Sequence, residues 1–364
     1  MIEVKDIKES IASGDFVFKN PSFANHEQII FCQDKDTGLK AIIAIHNTTL
    51  GPALGGTRMW NYKTEAEGLN DVLRLSRGMT YKAAISGLRL GGGKAILFGD
   101  SKKDKTPELF YKYGEFIETL KGRYITAEDV GTSVADMVNI RKFTNHVTGL
   151  PEEFGGGGDP SPVTAYGVYM GMKAAAKKKW GNDSLSGKKI GVQGIGHVGE
   201  NLVRLISEEK AKIFITDINQ DPLKEIASKY SAEIVSPESI YDLDIDIYAP
   251  CAMGATLNTE NIERLKCVIV SGAANNQLAD ETIHGSLLAK KGILYAPDFL
   301  INAGGLINVF SELNGYNRKD ALDHTQKIYD TTLEIFEKAD KEKITTVEAA
   351  IRIAEERITK AKAK

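Results

Sequence analysis

The sequence predicts an α/β protein of two domains, the second of which is a doubly wound parallel sheet. Three observations support this prediction. At 364 residues the chain is too long for one ordinary hydrophobic core. Short apolar runs alternate with helical patterns along most of its length. A strand, a glycine-rich turn, an amphipathic helix and a second strand follow one another between Lys188 and Asp217. The predicted domains are 1–150 and 151–330, with a helical tail over 331–364 that packs back on the first domain.

The first domain is predicted to begin with a β-hairpin and to continue as alternating helices and strands. Two β-rich runs, 28–33 and 39–46, flank the turn Asp34–Gly38. The glycine-rich stretch 51–58 is predicted to expose its backbone rather than its side chains. The elements that follow are a helix over 64–82, a glycine turn at 91–93, a strand over 94–98, a helix over 107–120 and a strand over 123–129.

The second domain is predicted to follow a segment that breaks helices, 155–162. This segment is predicted to form a hinge or the wall of a cleft, and the alternative is an exposed loop without a role. After Gly315 the chain has neither Gly nor Pro, which predicts two tail helices, the second opened by the capping box of Thr345 and Glu348. Besides the unit 188–217, the predicted elements are a helix from Thr164 and strands at 234–235, 245–249, 267–271 and 293–296.

A glycine-rich turn after the first strand of the second domain predicts a dinucleotide-binding site. Gly194 permits a tight turn, Gly196 lets the backbone approach a pyrophosphate, and Gly199 lets the helix pack on the strand. Asp217 ends the next strand, where a carboxylate accepts from ribose hydroxyls and repels a 2′-phosphate, which favours NAD over NADP. The alternative is a tight turn without a ligand. The residues predicted to bind the cofactor here are Gly194, Ile195, Gly196, His197, Val198, Gly199 and Asp217.

Composition limits the possible partners and compartment. A net charge of −3 and a pI near 6.1 give no reason to expect nucleic acid or an anionic membrane as partner. The first residues carry acids and no apolar run, which predicts no secretory signal. Three cysteines without a CxxC predict buried thiols in a reducing cytoplasm, and six scattered histidines predict no metal site.

Two lysines in apolar and glycine-rich surroundings are candidate catalytic groups. Lys82 follows Met79-Thr-Tyr, and Lys94 follows three glycines. If the two share a cleft, each positive charge lowers the pKa of the other. A fall of roughly two units would make one lysine a base, while the other stays charged and holds a carboxylate. Asp129, at the end of a strand, is a candidate acid or base. The alternatives are solvated lysines and a turn aspartate.

Seven short motifs run in order through both predicted domains. They are Leu54-Gly-Gly-Thr-Arg58, Met79-Thr-Tyr-Lys82, Leu90-Gly-Gly-Gly-Lys94, Thr126-Ala-Glu-Asp129-Val-Gly, Ser161-Pro-Val-Thr164-Ala-Tyr-Gly, Gly272-Ala-Ala-Asn-Asn276-Gln and Pro297-Asp-Phe-Leu-Ile-Asn302-Ala-Gly-Gly305. Together they resemble the amino acid dehydrogenases that act on glutamate, leucine, phenylalanine and valine, and within that family the leucine-specific members most closely. The resemblance implies a reversible, NAD-dependent oxidative deamination of an L-amino acid and a homo-oligomer.

The resemblance also implies a role for each matching residue. Lys94 matches the family's catalytic base, which activates water, and Lys82 matches the lysine that binds the substrate α-carboxylate. Asp129 matches the aspartate that handles the proton of the amino group. Three further positions match residues beside the substrate amine or the nicotinamide, namely Asn302 for the amine and Thr164 and Asn276 for the nicotinamide.

The implied substrate pocket is apolar. Leu54 stands where the glutamate-specific members carry a lysine for the side-chain carboxylate, so glutamate is disfavoured. The substrate-binding residues implied by the resemblance are Lys82, Leu54, Gly55, Gly56, Ala127, Asn302, Leu306 and Val309. These residues suit branched-chain amino acids, with L-leucine preferred, although one methylene discriminates by only about 1–3 kcal/mol. Phe310 could enlarge the preference to aromatic substrates.

Several other functions stay open on the sequence alone. The chain could be a phenylalanine or valine dehydrogenase, which only a panel of substrates distinguishes. It could also be a catalytically silent NAD-binding regulator, although such a protein would not need Lys82, Lys94 and Asp129 together. A structural oligomer scaffold is the third alternative, and it predicts no NADH binding.

Overall fold

The computed structural model describes residues 17–363 and divides them into two compact units. The first unit comprises 17–158, Val309–Asn317 and 354–363, and the second comprises Asp159–Asn308 and Arg318–Ile353. These bounds differ from the predicted domain limits at 150 and 330. The predicted absence of a secretory signal concerns residues that lie outside those described.

A five-stranded mixed sheet forms the centre of the first unit. Its strands are β1 (Gln28–Gln33), β2 (Lys40–Asn47), β3 (Ala53–Trp60), β4 (Gly91–Phe98) and β5 (Tyr124–Glu128). They lie in the order β1-β2-β4-β3-β5, in which β2 is antiparallel to β1 and to β4, while β3 is parallel to β4 and to β5. The predicted hairpin is therefore present, and Asp34 closes its turn by accepting from the backbone N–H of Thr37 at 2.9 Å.

Three helices cover the two faces of this sheet. Helix α1 (Glu65–Ile85) begins at Thr64, whose hydroxyl accepts from the N–H of Glu67, and it buries Leu69, Val72 and Leu73. These side chains pack on Ile42, Ala44 and Ile96 of the sheet. Helices α2 (Pro107–Thr119) and α3 (Val134–Arg141) contribute to the larger core on the opposite face, which contains Ile43, Leu97, Phe110, Tyr113 and Met137.

The glycine-rich segments of this unit lie inside strands, and both sequence-based predictions about them are wrong. Gly91–Gly93 opens β4 instead of forming a turn, and residues 53–58 form the buried strand β3 instead of an exposed backbone. A Cβ at Gly55 would overlap the carbonyl oxygen of Gly93, and a Cβ at Gly92 would overlap the backbone N of Thr80 in α1. The glycines are therefore required by close approach of backbones, not by a turn.

A six-stranded parallel sheet forms the centre of the second unit. The strand order is β11-β10-β9-β6-β7-β8, the doubly wound order in which the sheet grows outward in both directions from β6. The predicted fold class is confirmed. The strands are β6 (Lys189–Gln193), β7 (Lys212–Thr216), β8 (Glu233–Ile234), β9 (Ile247–Pro250), β10 (Ile269–Val270) and β11 (Leu294–Tyr295).

Helices surround this sheet and extend to the C-terminal part of the chain. They are α4 (Ser161–Trp180), α5 (His197–Glu208), α6 (Gln220–Tyr230), α7 (Thr259–Arg264), α8 (Glu281–Lys290), α9 (Asp298–Ile301), α10 (Gly304–Glu312), α11 (Arg318–Gln326), α12 (Ile328–Glu342) and α13 (Thr346–Lys362). Short 3₁₀ turns occupy Glu152–Phe154 and Ser239–Asp242.

The C-terminal tail contains three helices rather than the predicted two. Helices α11 and α12 are separated at Lys327, and both pack on α4 in the second unit. The capping box that opens α13 is present, because Thr345 accepts from the N–H of Glu348 and the Glu348 carboxylate accepts from the N–H of Thr345. The end of α13 belongs to the first unit, where the Arg357 guanidinium donates to the carbonyls of Ala84 and Ile85.

All three cysteines are free thiols. Burial raises the pKa of the Cys32 thiol to about 11 and those of Cys251 and Cys267 to about 12. Among the described residues, no helix combines the length and apolar character that crossing a membrane requires.

The contact between β3 and β4 generates the first testable prediction. Replacing Gly55 with Ala places a methyl group on the Gly93 carbonyl, and we expect the free energy of unfolding to fall by about 3 kcal/mol or more. Gly78→Ala is the matched control, because its Cβ meets nothing within 4 Å on an exposed helix surface. It should raise stability by roughly 0.5–1 kcal/mol. Chemical denaturation measures both changes, and a wild-type midpoint for Gly55→Ala would contradict the prediction.

Candidate active site

Lys94 is a buried cation on the central strand β4 of the first unit. It pairs across the sheet with Ala44 and therefore lies on the face that α1 covers. Only 8% of its side chain is exposed. A buried ammonium group needs a compensating charge, since an unpaired charge away from water costs several kcal/mol.

Asp129 supplies that charge from the end of β5. Its Oδ2 lies 2.8 Å from the Lys94 Nζ and 3.1 Å from the Nε of Arg58. Burial by itself would raise the pKa of Asp129, but the Lys94 and Arg58 charges, with the backbone N–H of Val130, hold that pKa below its ordinary value. The predicted candidates Lys94 and Asp129 are therefore in direct contact, with the carboxylate stabilised in its ionised form.

Gly56 leaves room for this contact. An ideal Cβ at Gly56 would lie 2.9 Å from the Cβ of Asp129 and 2.5 Å from the carbonyl oxygen of Glu128. Any side chain at position 56 would push the end of β5 away from β3. The glycine that the sequence analysis assigned to substrate binding thus also determines where the Asp129 carboxylate lies.

A group of charged residues beside Asp129 was missed at the level of sequence. Arg58 Nη1 lies 2.8 Å from Asp71 Oδ2 on α1, and the hydroxyl of Tyr62 donates to the same oxygen at 2.7 Å. Arg74 Nη2 contacts the other oxygen, Asp71 Oδ1, at 3.0 Å. Arg58 stood in a quoted motif without a role, although an arginine inside an otherwise buried strand was a usable signal.

Lys82 lies in the last turn of α1 and is half-buried. Helix α1 packs closely on β4 where Thr80 faces Gly92. Lys82 follows Thr80 by two residues on the helix, and Lys94 follows Gly92 by two residues on the strand. A cation in the last turn of a helix also interacts favourably with the helix dipole. The carboxylate-binding role of Lys82 stays a prediction.

The residues predicted to line the substrate pocket divide between the two units. In the first unit Leu54 and Gly56 of β3 pair with Ile125 and Ala127 of β5, so Leu54 and Ala127 lie on one face of the sheet. Gly55 points to the other face, where it packs on Gly93. The remaining predicted pocket residues lie on or just before α10: Asn302 and Leu306 in the second unit, and Val309, with its neighbour Phe310, in the first.

The glycine turn of the second unit is tight at Gly194 and closely packed at Gly199. Gly194 has a φ of +101°, a conformation that favours glycine, and a Cβ at Gly199 would overlap the Gly194 carbonyl oxygen. A Cβ at Gly196 would meet nothing within 4 Å. Gly196 is the N-cap of α5 and no side chain of the described residues caps this helix. Its first residues, His197, Val198 and Gly199, therefore present backbone amides suited to a phosphate group.

Asp217 fastens this turn to the end of β7. Its Oδ2 accepts from the N–H of Ile195 at 2.7 Å, and its Oδ1 accepts from the N–H of Asn219 at 2.8 Å. The carboxylate is half-buried and held in one orientation by two backbone donors. Its predicted contact with ribose hydroxyls is compatible with these bonds, because a carboxylate oxygen accepts more than one hydrogen bond.

Three predicted residues come together around the start of α10. Asn302 is buried, and its amide donates to the Asn275 side chain at 2.8 Å and to the Ala273 carbonyl at 3.1 Å. It is thus tied to the loop that follows β10 and carries Asn276, whose φ is +51°. A Cβ at Gly305 would lie 3.1 Å from the hydroxyl of Thr164, which donates to the Pro160 carbonyl. The second unit therefore positions Asn302, Asn276 and Thr164 in one region.

Comparisons with known proteins find relatives that match both units. Residues 26–146 match the family model described as the dimerisation domain of Glu/Leu/Phe/Val dehydrogenases, and residues 155–219 and 214–364 match that of the Glutamate/Leucine/Phenylalanine/Valine dehydrogenases. The leucine dehydrogenase of Thermoactinomyces intermedius is 56% identical over 92% of this chain and 91% of the relative. That of Geobacillus stearothermophilus is 54% identical over 94% and 93%.

A solved structure extends the comparison to the fold. The crystal structure of L-tryptophan dehydrogenase from Nostoc punctiforme has a TM-score of 0.85 and 46% sequence identity, covering 93% of this chain and 98% of that one.

The geometry of the glycine turn generates the second prediction. Gly196→Ala should leave the melting temperature unchanged, because the methyl group enters open space, yet lower dinucleotide affinity at least roughly tenfold by blocking the backbone approach to phosphate. Gly199→Ala should instead lower the free energy of unfolding by about 1–3 kcal/mol through its overlap with Gly194. Thermal melts and fluorescence titration with NADH measure the two effects. If both variants changed the melting temperature and the NADH affinity to the same extent, the separate roles of Gly196 in phosphate binding and of Gly199 in packing would be contradicted.

Proposed function

The chain belongs to the glutamate, leucine, phenylalanine and valine dehydrogenase family and is an amino acid dehydrogenase. On this premise we propose that it catalyses the reversible NAD-dependent oxidative deamination of branched-chain L-amino acids, with L-leucine preferred. The observation that carries this proposal is the buried contact between Lys94 and Asp129, because it places an amino group and a carboxylate, two groups that can exchange protons, on one sheet face. In the forward direction the L-amino acid, NAD⁺ and water give the 2-oxo acid, ammonium, NADH and one proton.

Three residues of the first unit act on the amino acid in this proposal. Lys82 binds the α-carboxylate, Asp129 receives a proton from the amino group, and Lys94 activates the water that attacks the imino acid. NAD⁺, when bound, supplies the acceptor for the hydride that leaves Cα. The Lys94 Nζ lies 2.8 Å from Asp129 Oδ2, so the two groups that act on protons in this proposal are in direct contact.

Residues of the second unit would hold the cofactor. The open space at Gly196 and the amides at the start of α5 fit a pyrophosphate, and Asp217 is oriented by its two backbone donors toward one fixed position. A carboxylate in that position accepts from the ribose hydroxyls of NAD and repels the additional phosphate of NADP. Thr164 and Asn276 would contact the nicotinamide, and Asn302 the substrate amine.

Leu54 supports the choice of a branched-chain substrate. It is 2% exposed and shares its sheet face with Ala127 and with Lys94. A glutamate side chain beside Leu54 would bring a carboxylate out of water without a partner, which costs several kcal/mol. The predicted substrate-binding residues Leu306 and Val309, one turn apart on α10, are also apolar, which suits leucine, valine or isoleucine as substrate.

An aromatic amino acid is the second candidate substrate. Phe310 adjoins Val309 on α10 and is half-buried, and the similar protein of known structure from Nostoc punctiforme is an L-tryptophan dehydrogenase. A phenylalanine or valine dehydrogenase would use the same lysines and aspartate. A catalytically silent NAD-binding regulator is disfavoured, because it would have no use for a buried lysine held against a carboxylate.

We further propose a cytoplasmic homo-oligomer. The family model matched by residues 26–146 is described as a dimerisation domain, and the strand β1 lies at the edge of its sheet with Phe31 more than half exposed. Three free thiols with raised pKa values suit a reducing compartment.

A panel of substrates and cofactors tests the proposed function. The absorbance of reduced nicotinamide is followed with L-leucine, L-valine, L-isoleucine, L-phenylalanine or L-glutamate at mildly alkaline pH, each with NAD and with NADP. We expect the fastest reduction with leucine, slower reduction with the other branched substrates, little with glutamate, and a strong preference for NAD. A preference for phenylalanine would replace the substrate and keep the mechanism. No reduction with any substrate, alongside saturable NADH binding, would support the regulator.

Lys94→Ala should lower turnover by several orders of magnitude while NADH binding persists, because the variant loses the base. The matched control is Lys105→Ala, which removes another lysine–aspartate contact of the same unit, that of Lys105 with Asp136 at 2.5 Å. The control should retain nearly normal turnover. Steady-state kinetics with L-leucine and NADH titration give both readouts, and nearly normal turnover of Lys94→Ala would remove Lys94 from the mechanism.

A further inference from the structure

Five side chains of alternating charge lead from the surface of α1 to Lys94. They are Arg74, Asp71, Arg58, Asp129 and Lys94, and each consecutive pair is in contact at 2.8–3.1 Å. The exposed fraction of the side chain is 51% for Arg74, between 16% and 24% for Asp71, Arg58 and Asp129, and 8% for Lys94. The contacts near Lys94 are thus shielded from water and stronger than those at the surface.

The two cations that touch Asp129 use the same oxygen. Lys94 Nζ lies 2.8 Å and Arg58 Nε 3.1 Å from Asp129 Oδ2. A proton that joined Oδ2 would displace one of these cations, whereas a proton that joins Oδ1 leaves both contacts in place. The two oxygens of Asp129 are therefore chemically different before any substrate arrives.

Arg58 is suited to hold this carboxylate in one orientation. Its guanidinium spans two carboxylates, with Nε on Asp129 and Nη1 on Asp71, and Asp71 is itself fixed by the Tyr62 hydroxyl. The planar guanidinium group has several N–H donors and can therefore bind two carboxylates at once. The ammonium group of a lysine, at the end of a flexible chain, is less suited to this. Arg58 is also anchored by the parallel pairing of β3 with β4, where it lies opposite Ile96.

We infer that Arg58, supported by Asp71, is a positioning residue that fixes Asp129 through Oδ2 and thereby reserves Oδ1 for the amino group of the substrate. This inference rests on the proposed function. In the corresponding step an N–H bond of the substrate ammonium breaks and an O–H bond forms at Oδ1. The electron pair left on nitrogen then forms the C=N bond as the hydride leaves Cα.

Other charged or titratable groups near Asp129 do not replace Arg58. Lys94 approaches from β4, whereas on α1 Asp71 contacts Arg58 and the more exposed Arg74 contacts the other oxygen of Asp71. Tyr124 on β5 also interacts electrostatically with Asp129, but burial raises its pKa to about 12, so it stays neutral. Removal of Arg58 therefore withdraws one of the two cations that favour ionised Asp129, and the acidic limb of the activity profile should move to higher pH.

The test compares Arg58→Gln, Arg58→Lys and Asp71→Asn with the control Arg74→Gln. We expect kcat to fall roughly 100-fold for Arg58→Gln and roughly tenfold for Asp71→Asn, with Arg58→Lys between Arg58→Gln and the wild type. The acidic limb of kcat/KM should shift upward in the same order. Arg74→Gln removes only an exposed contact and should stay within about threefold of wild-type kcat. Thermal melts establish that each variant is folded.

A measurement independent of turnover separates this inference from the proposed function. The ¹³C chemical shift of the Asp129 carboxyl group, followed by NMR against pH, should report a higher midpoint in Arg58→Gln and Asp71→Asn than in Arg74→Gln. If the wild type oxidises no amino acid but the midpoints shift, the proposed function fails and the positioning by Arg58 stands. Unchanged midpoints and an unchanged acidic limb in the folded variants would overturn the inference. Failure of both Arg58→Gln and Asp71→Asn to fold would also overturn it, since the network would then serve the fold.

Discussion

The buried contact between Lys94 and Asp129 is the interaction on which the rest of the first unit depends. A lysine and an aspartate shielded from water are tolerated only when each partner is held against the other, because separating them leaves an uncompensated charge. The strands around them meet this requirement in two ways. Gly56 allows the end of β5 to approach β3, and Gly92 allows α1 to lie against β4. The position of the charges is thus a consequence of how closely the backbones pack.

The sequence was sufficient to predict much of the second unit and less of the first. A parallel sheet consists of local repeating units, and the unit from Lys188 to Asp217 carries its own signals of strand, turn and helix, so its prediction was accurate. In the first unit, glycine was interpreted through its local preference for turns. At Gly55 and at Gly91–Gly93 the deciding factor is instead contact with a strand or helix distant in sequence, which no local pattern encodes.

The candidate site was predicted residue by residue, but its supporting interactions were not. The pattern of motifs selected Lys94 and Asp129, whereas the partners Asp71 and Tyr62 belong to no motif and are brought to Arg58 only by the packing of α1 on the sheet. Asp217 illustrates the same point in the second unit. A ribose-binding role was assigned from its place after a strand, yet its bonds to the N–H groups of Ile195 and Asn219 are visible only in three dimensions. Residues that position catalytic or binding side chains are therefore harder to predict from a sequence than the side chains they position.

The state of the three cysteines has a practical consequence. Cys32 and Cys267 are each 3% exposed, and the thiols of all three cysteines hold their protons well above neutral pH. Since the thiolate is the form that attacks maleimides, we expect the native chain to react slowly with such reagents. We therefore expect a cysteine introduced at an exposed position to be the site that is labelled most rapidly, without replacement of the three native cysteines. Fluorophores or spin labels can thus be attached at chosen positions of either unit while the native cysteines stay in place.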